Sequence, residues 1–199
     1  MKRKTLLAGV AFVVGLMGVT DGLIVAFADD EKPSVSGSHD AQGRPIVEID
    51  LKAPTRKPHL SEEATKPTPE GAKQFVLYYF DAVNYSLAHL DTDLLAHDTN
   101  AGCQVCNGYL LGIANWKNQG ASLEGGLTVP ASLAIGAFST TDPVTFLATF
   151  ITSPATLHRA DGSVLNYPGG RTRGGVAILY ANGRWQMTTI VLDSTKEQP

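Results

Sequence analysis

Gly175-Val176-Ala177-Ile178-Leu179-Tyr180-Ala181-Asn182-Gly183-Arg184-Trp185-Gln186-Met187-Thr188-Thr189-Ile190-Val191-Leu192 carries the clearest structural signal in the chain. Two runs rich in apolar and β-branched residues flank Asn182-Gly183, the pair that accepts the positive φ angles of a type I′ turn, so the segment predicts a β-hairpin. The turn sets the register: Tyr180 opposite Trp185, Ile178 opposite Met187, Val176 opposite Thr189, with one apolar face turned inward.

The same period of two extends back to Gly126. Leu127 to Ser139 carries one or two strands, Pro143 to Thr152 another, and Thr156 to Leu165 a hairpin around Ala160-Asp161-Gly162. N-terminal to Gly126 the pattern is helical. Thr68-Pro69-Glu70 reads as N-cap, first-turn proline and an acid that complements the helix dipole. Phe75, Val76, Tyr79, Phe80, Val83, Leu87 and Leu90 then recur at helical steps, predicting a long helix from Ala72 to about His89. A short helix over Asp91 to Ala96 and a third from about Cys103 to Trp116 follow. The fold class is therefore α+β, with N-terminal helices packed on a curved antiparallel sheet.

Residues 29–68 hold Pro33, Pro45, Pro54, Pro58 and Pro67 and no aromatic residue, the composition of a disordered spacer. Pro45 and Pro54 bracket the apolar run Ile46, Val47, Ile49 and Leu51 too tightly for a central strand, and it reads as local noise. Residues 69–193 form the domain and 194–199 a disordered tail.

Met1-Lys2-Arg3-Lys4 followed by an apolar run from Leu6 to Val19 predicts export. Ala26-Phe27-Ala28 fits a signal-peptidase site, whereas Thr5 to Ala28 is long enough to stay in the bilayer as an anchor. Asp21 weighs against the anchor, at about 3 kcal/mol for a charge near the membrane centre. Either way the rest of the chain lies outside the cytoplasm, secreted or held at the cell membrane. Without residues 1–28 the chain carries 13 Lys+Arg against 18 Asp+Glu, a net charge of −5. That balance excludes nucleic acid as the main partner and limits membrane contact to the N-terminal segment.

Cys103 and Cys106 are the chain's two cysteines. At spacing i, i+3 in a first helical turn their Cα atoms lie about 5 Å apart, within reach of a disulfide, and an oxidising compartment favours the bond. A thiol oxidoreductase is the competing reading, but the pair follows no βαβ strand. A zinc site that adds His97 lacks a fourth ligand, so no metal is expected.

Helices first and a curved sheet afterwards resemble the nuclear-transport-factor-2-like (cystatin-like) cone. Pro69-Glu70-Gly71-Ala72, Phe75, Tyr78-Tyr79, Val83-Asn84-Tyr85, Asp91 to Leu95 and the Cys103/Cys106 pair together resemble an exported actinobacterial family, domain of unknown function 6318, over residues 55–193. Many members of that family carry a lipoprotein cysteine after the signal, which this chain lacks. The resemblance supports the fold, the export and the pairing of Cys103 with Cys106, and it implies no catalytic residue and no cofactor.

Candidate ligand-binding residues are those a cone cavity would use. Tyr78, Tyr79 and Tyr85 supply hydroxyl-bearing walls, Trp116 adds an apolar one, and Asp81 with Tyr85 would serve an enzyme using that cavity. In Gly169-Gly170-Arg171-Thr172-Arg173-Gly174-Gly175, two cations in flexible backbone offer an anion cradle, although no helix N-terminus follows. Asn84-Tyr85-Ser86 spells a glycosylation sequon inside a helix, where an acceptor is disfavoured. His89, His97 and His158 read as surface or cap residues. The leading reading is an envelope-associated binding domain for a small ligand or an envelope protein, without catalysis.

Overall fold

Thr68 starts the long helix through its own side chain: its hydroxyl accepts the Gly71 N–H at 3.0 Å, and Pro69 follows in the first turn. The computed structural model describes residues 35–39, 45–49 and 51–193. The expectations for residues 1–28 and 194–199 fall outside that set. Helix α1 spans Pro69–His89 and closes at Leu90, which takes a left-handed conformation. Ala72, Phe75, Val76, Tyr79, Phe80, Val83 and Leu87 are all buried. Helix α2 covers Asp93–Asp98, two residues later than expected, because the Asp91 carboxylate caps the Asp93 N–H at 3.0 Å. Helix α3 covers Gln104–Asn118.

Two strands, β1 (Val35–His39) and β2 (Pro45–Ile49), pair antiparallel ahead of the helices. The run read as noise is thus a strand. Pro45, at its first position, is where a strand tolerates proline. A second correction concerns the end of the expected spacer. Residues 63–65 form a 3₁₀ turn, Ala64 is buried and Leu60 packs on the core. The packed structure therefore begins before Pro69.

The remaining strands are β3 (Ser122–Gly125), β4 (Thr128–Ile135), β5 (Val144–Thr152), β6 (Ala155–His158), β7 (Val164–Tyr167), β8 (Gly170–Ala181) and β9 (Arg184–Leu192). They form two antiparallel sheets, ordered β3-β6-β7 and β4-β5-β8-β9. Val144, Phe146, Ala148 and Phe150 turn one face of β5 onto α1, where the Phe150 and Phe80 rings lie 4.9 Å apart. Val176, Ile178, Trp185, Met187 and Ile190 continue that face. Asn84, also buried on α1, fixes helix to sheet. Its amide donates to the Thr128 carbonyl at 3.0 Å and accepts the Thr128 N–H at 2.8 Å. An amide so engaged is closed to glycosylation.

Asn182 and Gly183 both have positive φ, and Tyr180 pairs Trp185 and Ile178 pairs Met187 as the turn requires. One register departs from expectation: Val176 faces Ile190, not Thr189. A β-bulge at Thr188 causes it, the Thr188 hydroxyl donating to the Ala177 carbonyl at 2.9 Å. The extra residue shifts β9 by one position, which buries Ile190 and exposes Thr189. The arginine segment is also corrected. Arg171 and Arg173 belong to β8, paired with Ile151 and Thr149, because β5 supplies the ladder hydrogen bonds that hold this run extended, while β9 joins β8 only from Gly174 onward.

Candidate functional site

Strand pairing places side chains of the four-stranded sheet's outer face in rows. Leu147 sits between Ala134 on β4 and Gly175 on β8, and Gly175 pairs in turn with Val191 on β9. Small neighbours leave Leu147 74% exposed, and Val191 is exposed beside it. The next row is Ser132, Thr149 and Arg173, and the one beyond it Val129, Ile151 and Arg171. An open groove of about 250 Å³ runs along the first two rows, lined by Ser132, Ala134, Leu147, Thr149, Arg173 and Gly174. The Nε of half-buried Arg171 has no hydrogen-bond partner, and Arg173 is exposed. The face thus sets an apolar strip beside two guanidinium groups.

The interior differs. Phe75, Tyr79, Phe146, Phe150, Trp185 and Met187 fill it. The hollow at the far end of α1, bounded by Leu87, Trp116, Leu123, Ala155 and Tyr167, holds about 20 Å³, space for roughly one water.

The expected cavity residues do not converge. Tyr79 is fully buried, its hydroxyl 2.8 Å from the Thr99 hydroxyl. Tyr78 lies against Asp98; burial first, and the Asp98 charge and hydrogen bond after it, push its phenol well above the usual range. Tyr85 stacks on His89 at 4.3 Å between ring centroids. Trp116 borders the small hollow. Asp81 faces solvent; neighbouring atoms raise its carboxyl to about 6 by desolvation, a shift that its access to water reduces.

Cys103 and Cys106 stand at disulfide distance with Cα atoms 5.3 Å apart, and both are buried. Cys103 caps α3, its sulfur accepting the Cys106 N–H at 3.3 Å. A sulfur pair enclosed in this way offers no in-line approach to an attacking thiolate. Among the described residues no cluster of His, Cys, Asp or Glu has the makings of a metal site, and no helix is long and apolar enough to cross a membrane.

One polar cluster was not found by sequence reasoning. His97 Nδ1 lies 2.6 Å from Asp98 Oδ1, and its Nε2 lies 2.6 Å from Arg184 Nη1. The adjacent pair His97-Asp98 was visible, but no local signal linked it to Arg184, 87 residues away.

Helices wrapped by curved antiparallel sheets, with sulfurs paired at the start of α3, define the class. The chain belongs to DUF6318, a family of unknown function, whose model matches residues 54–191. No curated protein matches it. Among solved structures it is similar to a nuclear transport factor 2-like superfamily protein from Salmonella enterica, at 14% identity and a TM-score of 0.41 over 63% of this chain and 92% of that one. It is also similar to a putative calcium/calmodulin dependent protein kinase II association domain from Xanthomonas campestris, at 13% identity and a TM-score of 0.40 over 63% and 89%. Aln2 from a Streptomyces species matches at 15% identity and a TM-score of 0.38 over 63% and 91%. These are likenesses of fold and assign no activity.

Proposed function

We propose that the chain is an exported, non-enzymatic domain of the cell envelope that binds a protein partner through the outer face of its four-stranded sheet. The observation that carries this reading is the contrast between a filled interior, with a hollow of about 20 Å³, and an open groove of about 250 Å³ beside exposed Leu147. A drug-sized ligand needs a pocket of roughly 300 Å³ or more, so the interior suits none. The solvent-facing position of Asp81 takes from the enzyme reading its carboxylate on α1. Export is supported by the sulfurs of Cys103 and Cys106 at disulfide distance and by the basic-then-apolar start of the chain.

Charge selects the partner. Arg171 and Arg173 flank the apolar strip in a chain that is otherwise net acidic, which suits a protein surface with an apolar ridge bordered by carboxylates. A photo-crosslinking residue at position 147, introduced in the native host, should join the domain to one envelope protein. The same residue in place of Glu70, on the exposed side of α1, should not. Equal labelling from both positions, or a small molecule co-purifying in stoichiometric amount, overturns the reading.

A further inference from the structure

We propose that the outer face of the four-stranded sheet receives an amphipathic helix of the partner, with two carboxylates one turn apart on Arg171 and Arg173 and an apolar edge over Leu147. This rests on the reading of that face as a protein-binding surface and names the element that fills it.

The arginines come first. Both project from the same face of β8, two residues apart, which sets their backbones about 6.7 Å from one another. Neither is in an ion pair among the described residues, and half-buried Arg171 keeps an Nε without a hydrogen-bond partner. Two unpaired cations held side by side repel each other, and the dehydrated Nε adds to the cost. Carboxylates reverse both effects, since each accepts paired hydrogen bonds from the planar fork of a guanidinium.

Backbone hydrogen bonding decides the shape of the partner. The N–H and C=O groups of a strand point sideways in the plane of its sheet, so the face of β5 and β8 offers side chains only. An extended peptide laid there would bury its own N–H and C=O groups without partners. A helix satisfies its backbone internally. Its side chains at i and i+4 stand about 6 Å apart along the axis, close to the step from Arg171 to Arg173.

The next row completes the fit. One step beyond Arg173 on the outer face of β8 is Gly175, paired with Leu147, which has Ala134 on its other side. Gly175 and Ala134 keep the face low on both flanks of Leu147, which stands 74% exposed beside the open groove of about 250 Å³. A side chain projecting alone in this way enters the furrow between rows of side chains on a helix. Its burial, with that of Val191 beside it, supplies the apolar part of the affinity. A helix lying along β8 thus meets Arg171, Arg173 and then Leu147 with successive turns. The matching sequence has acids at i and i+4 and apolar residues at i+7 and i+8.

The test is selection on the full chain from a phage library of helix-forming peptides of about 18 residues, followed by affinity measurements with the enriched sequences as synthetic peptides. We expect Asp or Glu at i and i+4 with Leu, Ile, Met or Phe at i+7 or i+8, helical circular dichroism on binding, and affinity that falls as salt rises. Leu147→Glu and Arg173→Gln, both at exposed side chains, should each weaken binding tenfold or more at an unchanged melting temperature. A peptide with Lys in place of the acid that faces position 173 should regain affinity for Arg173→Glu. No enrichment, enriched peptides without the acid pair, peptides that stay extended when bound, or binding unmoved by Leu147→Glu in a folded variant overturns the proposal. Succinate that binds as tightly as the best peptide and ignores Leu147→Glu also overturns it, in favour of a small dianion. The photo-crosslink from position 147 is read separately: an envelope protein captured there while no acidic helix is selected leaves the protein-binding reading standing and removes this one.

Discussion

Trp185 donates its indole N–H to the carbonyl of Lys66 at 2.9 Å, joining the start of the last strand to the segment just before α1. Tyr180 covers the indole edge-on, with ring centroids 4.9 Å apart, and Phe138 also packs edge-on at 6.4 Å. The indole is 2% exposed, so both its apolar body and its polar handle are spent on the fold. Trp185→Ala should cost about 3–5 kcal/mol of stability in urea unfolding. Trp185→Phe keeps most of the packing and leaves the Lys66 carbonyl with the Thr68 N–H as its partner, so it should cost only about 1 kcal/mol. A loss below about 1 kcal/mol for the alanine variant would mean that this face of the hairpin is not in the core.

Gly71 is the residue that lets Lys66 stand where it does. A Cβ there would collide with the Lys66 carbonyl oxygen, and it would also lie 2.7 Å from the Glu63 oxygen. Backbone cannot yield as a flexible side chain does, so Gly71→Ala should force the 3₁₀ turn away from α1 and break the Trp185 hydrogen bond. A red shift of tryptophan emission together with a lower unfolding midpoint is expected. The control Gly108→Ala, inside α3 with open space around its α-carbon, should leave the emission unchanged and raise the midpoint slightly through helix propensity.

How far the sequence could be read follows from these residues. Asn182-Gly183 and Thr68-Pro69 act through local backbone preferences, and the hairpin and helix they specify lie where the pattern places them. The Thr188 bulge depends on a carbonyl across the sheet, and Arg171 to Arg173 are strand because β5 pairs with them. Neither is written into its own neighbourhood. The packing of Leu60 and Ala64 was hidden because the partner that secures that segment, Trp185, lies 119 residues from Lys66. The cluster of Tyr78, His97, Asp98 and Arg184 is non-local in the same sense.

That packing moves the expected proteolytic boundary. Proteinase K should leave a core whose N-terminus lies before Leu60, since His89 Nε2 lies 2.8 Å from the Pro54 carbonyl oxygen and Leu60 is held by the core. N-terminal sequencing that finds Pro69 as the first resistant residue would place the boundary at the helix instead.

Asn84 offers a test of how α1 is tied to the sheet. Both of its amide bonds go to the backbone of half-buried Thr128, so Asn84→Ala removes the partners of that N–H and C=O, at about 1 kcal/mol each. Asn84→Asp keeps the acceptor for the Thr128 N–H but sets a carboxylate oxygen against the Thr128 carbonyl. Its folded-state pKa should therefore rise, and the sign follows: the protonated acid restores a donor, so the variant gains stability as pH falls and loses it as pH rises through the folded pKa. An Asn84→Asp variant as stable as the parent chain at neutral pH would show that the amide is not the tie.

The Cys103/Cys106 pair yields the prediction with the most direct chemistry. With Cα atoms 5.3 Å apart and a loop of four residues closed, the bond should add about 2 kcal/mol by chain entropy. The exported protein, denatured without reductant, should show no alkylatable thiol. Reduction should add two mass units and expose two sites, and the fold should persist with a lower midpoint, because Phe75, Phe146 and Phe150 and the ladder between β8 and β9 do not depend on the bond. Both sulfurs are buried, so reduction should need partial opening at the start of α3 and should run faster in mild denaturant than in buffer. Two free thiols in protein taken from the native envelope would remove the support that the pair lends to export, and rapid exchange with a disulfide substrate in buffer would replace the structural role with a redox one.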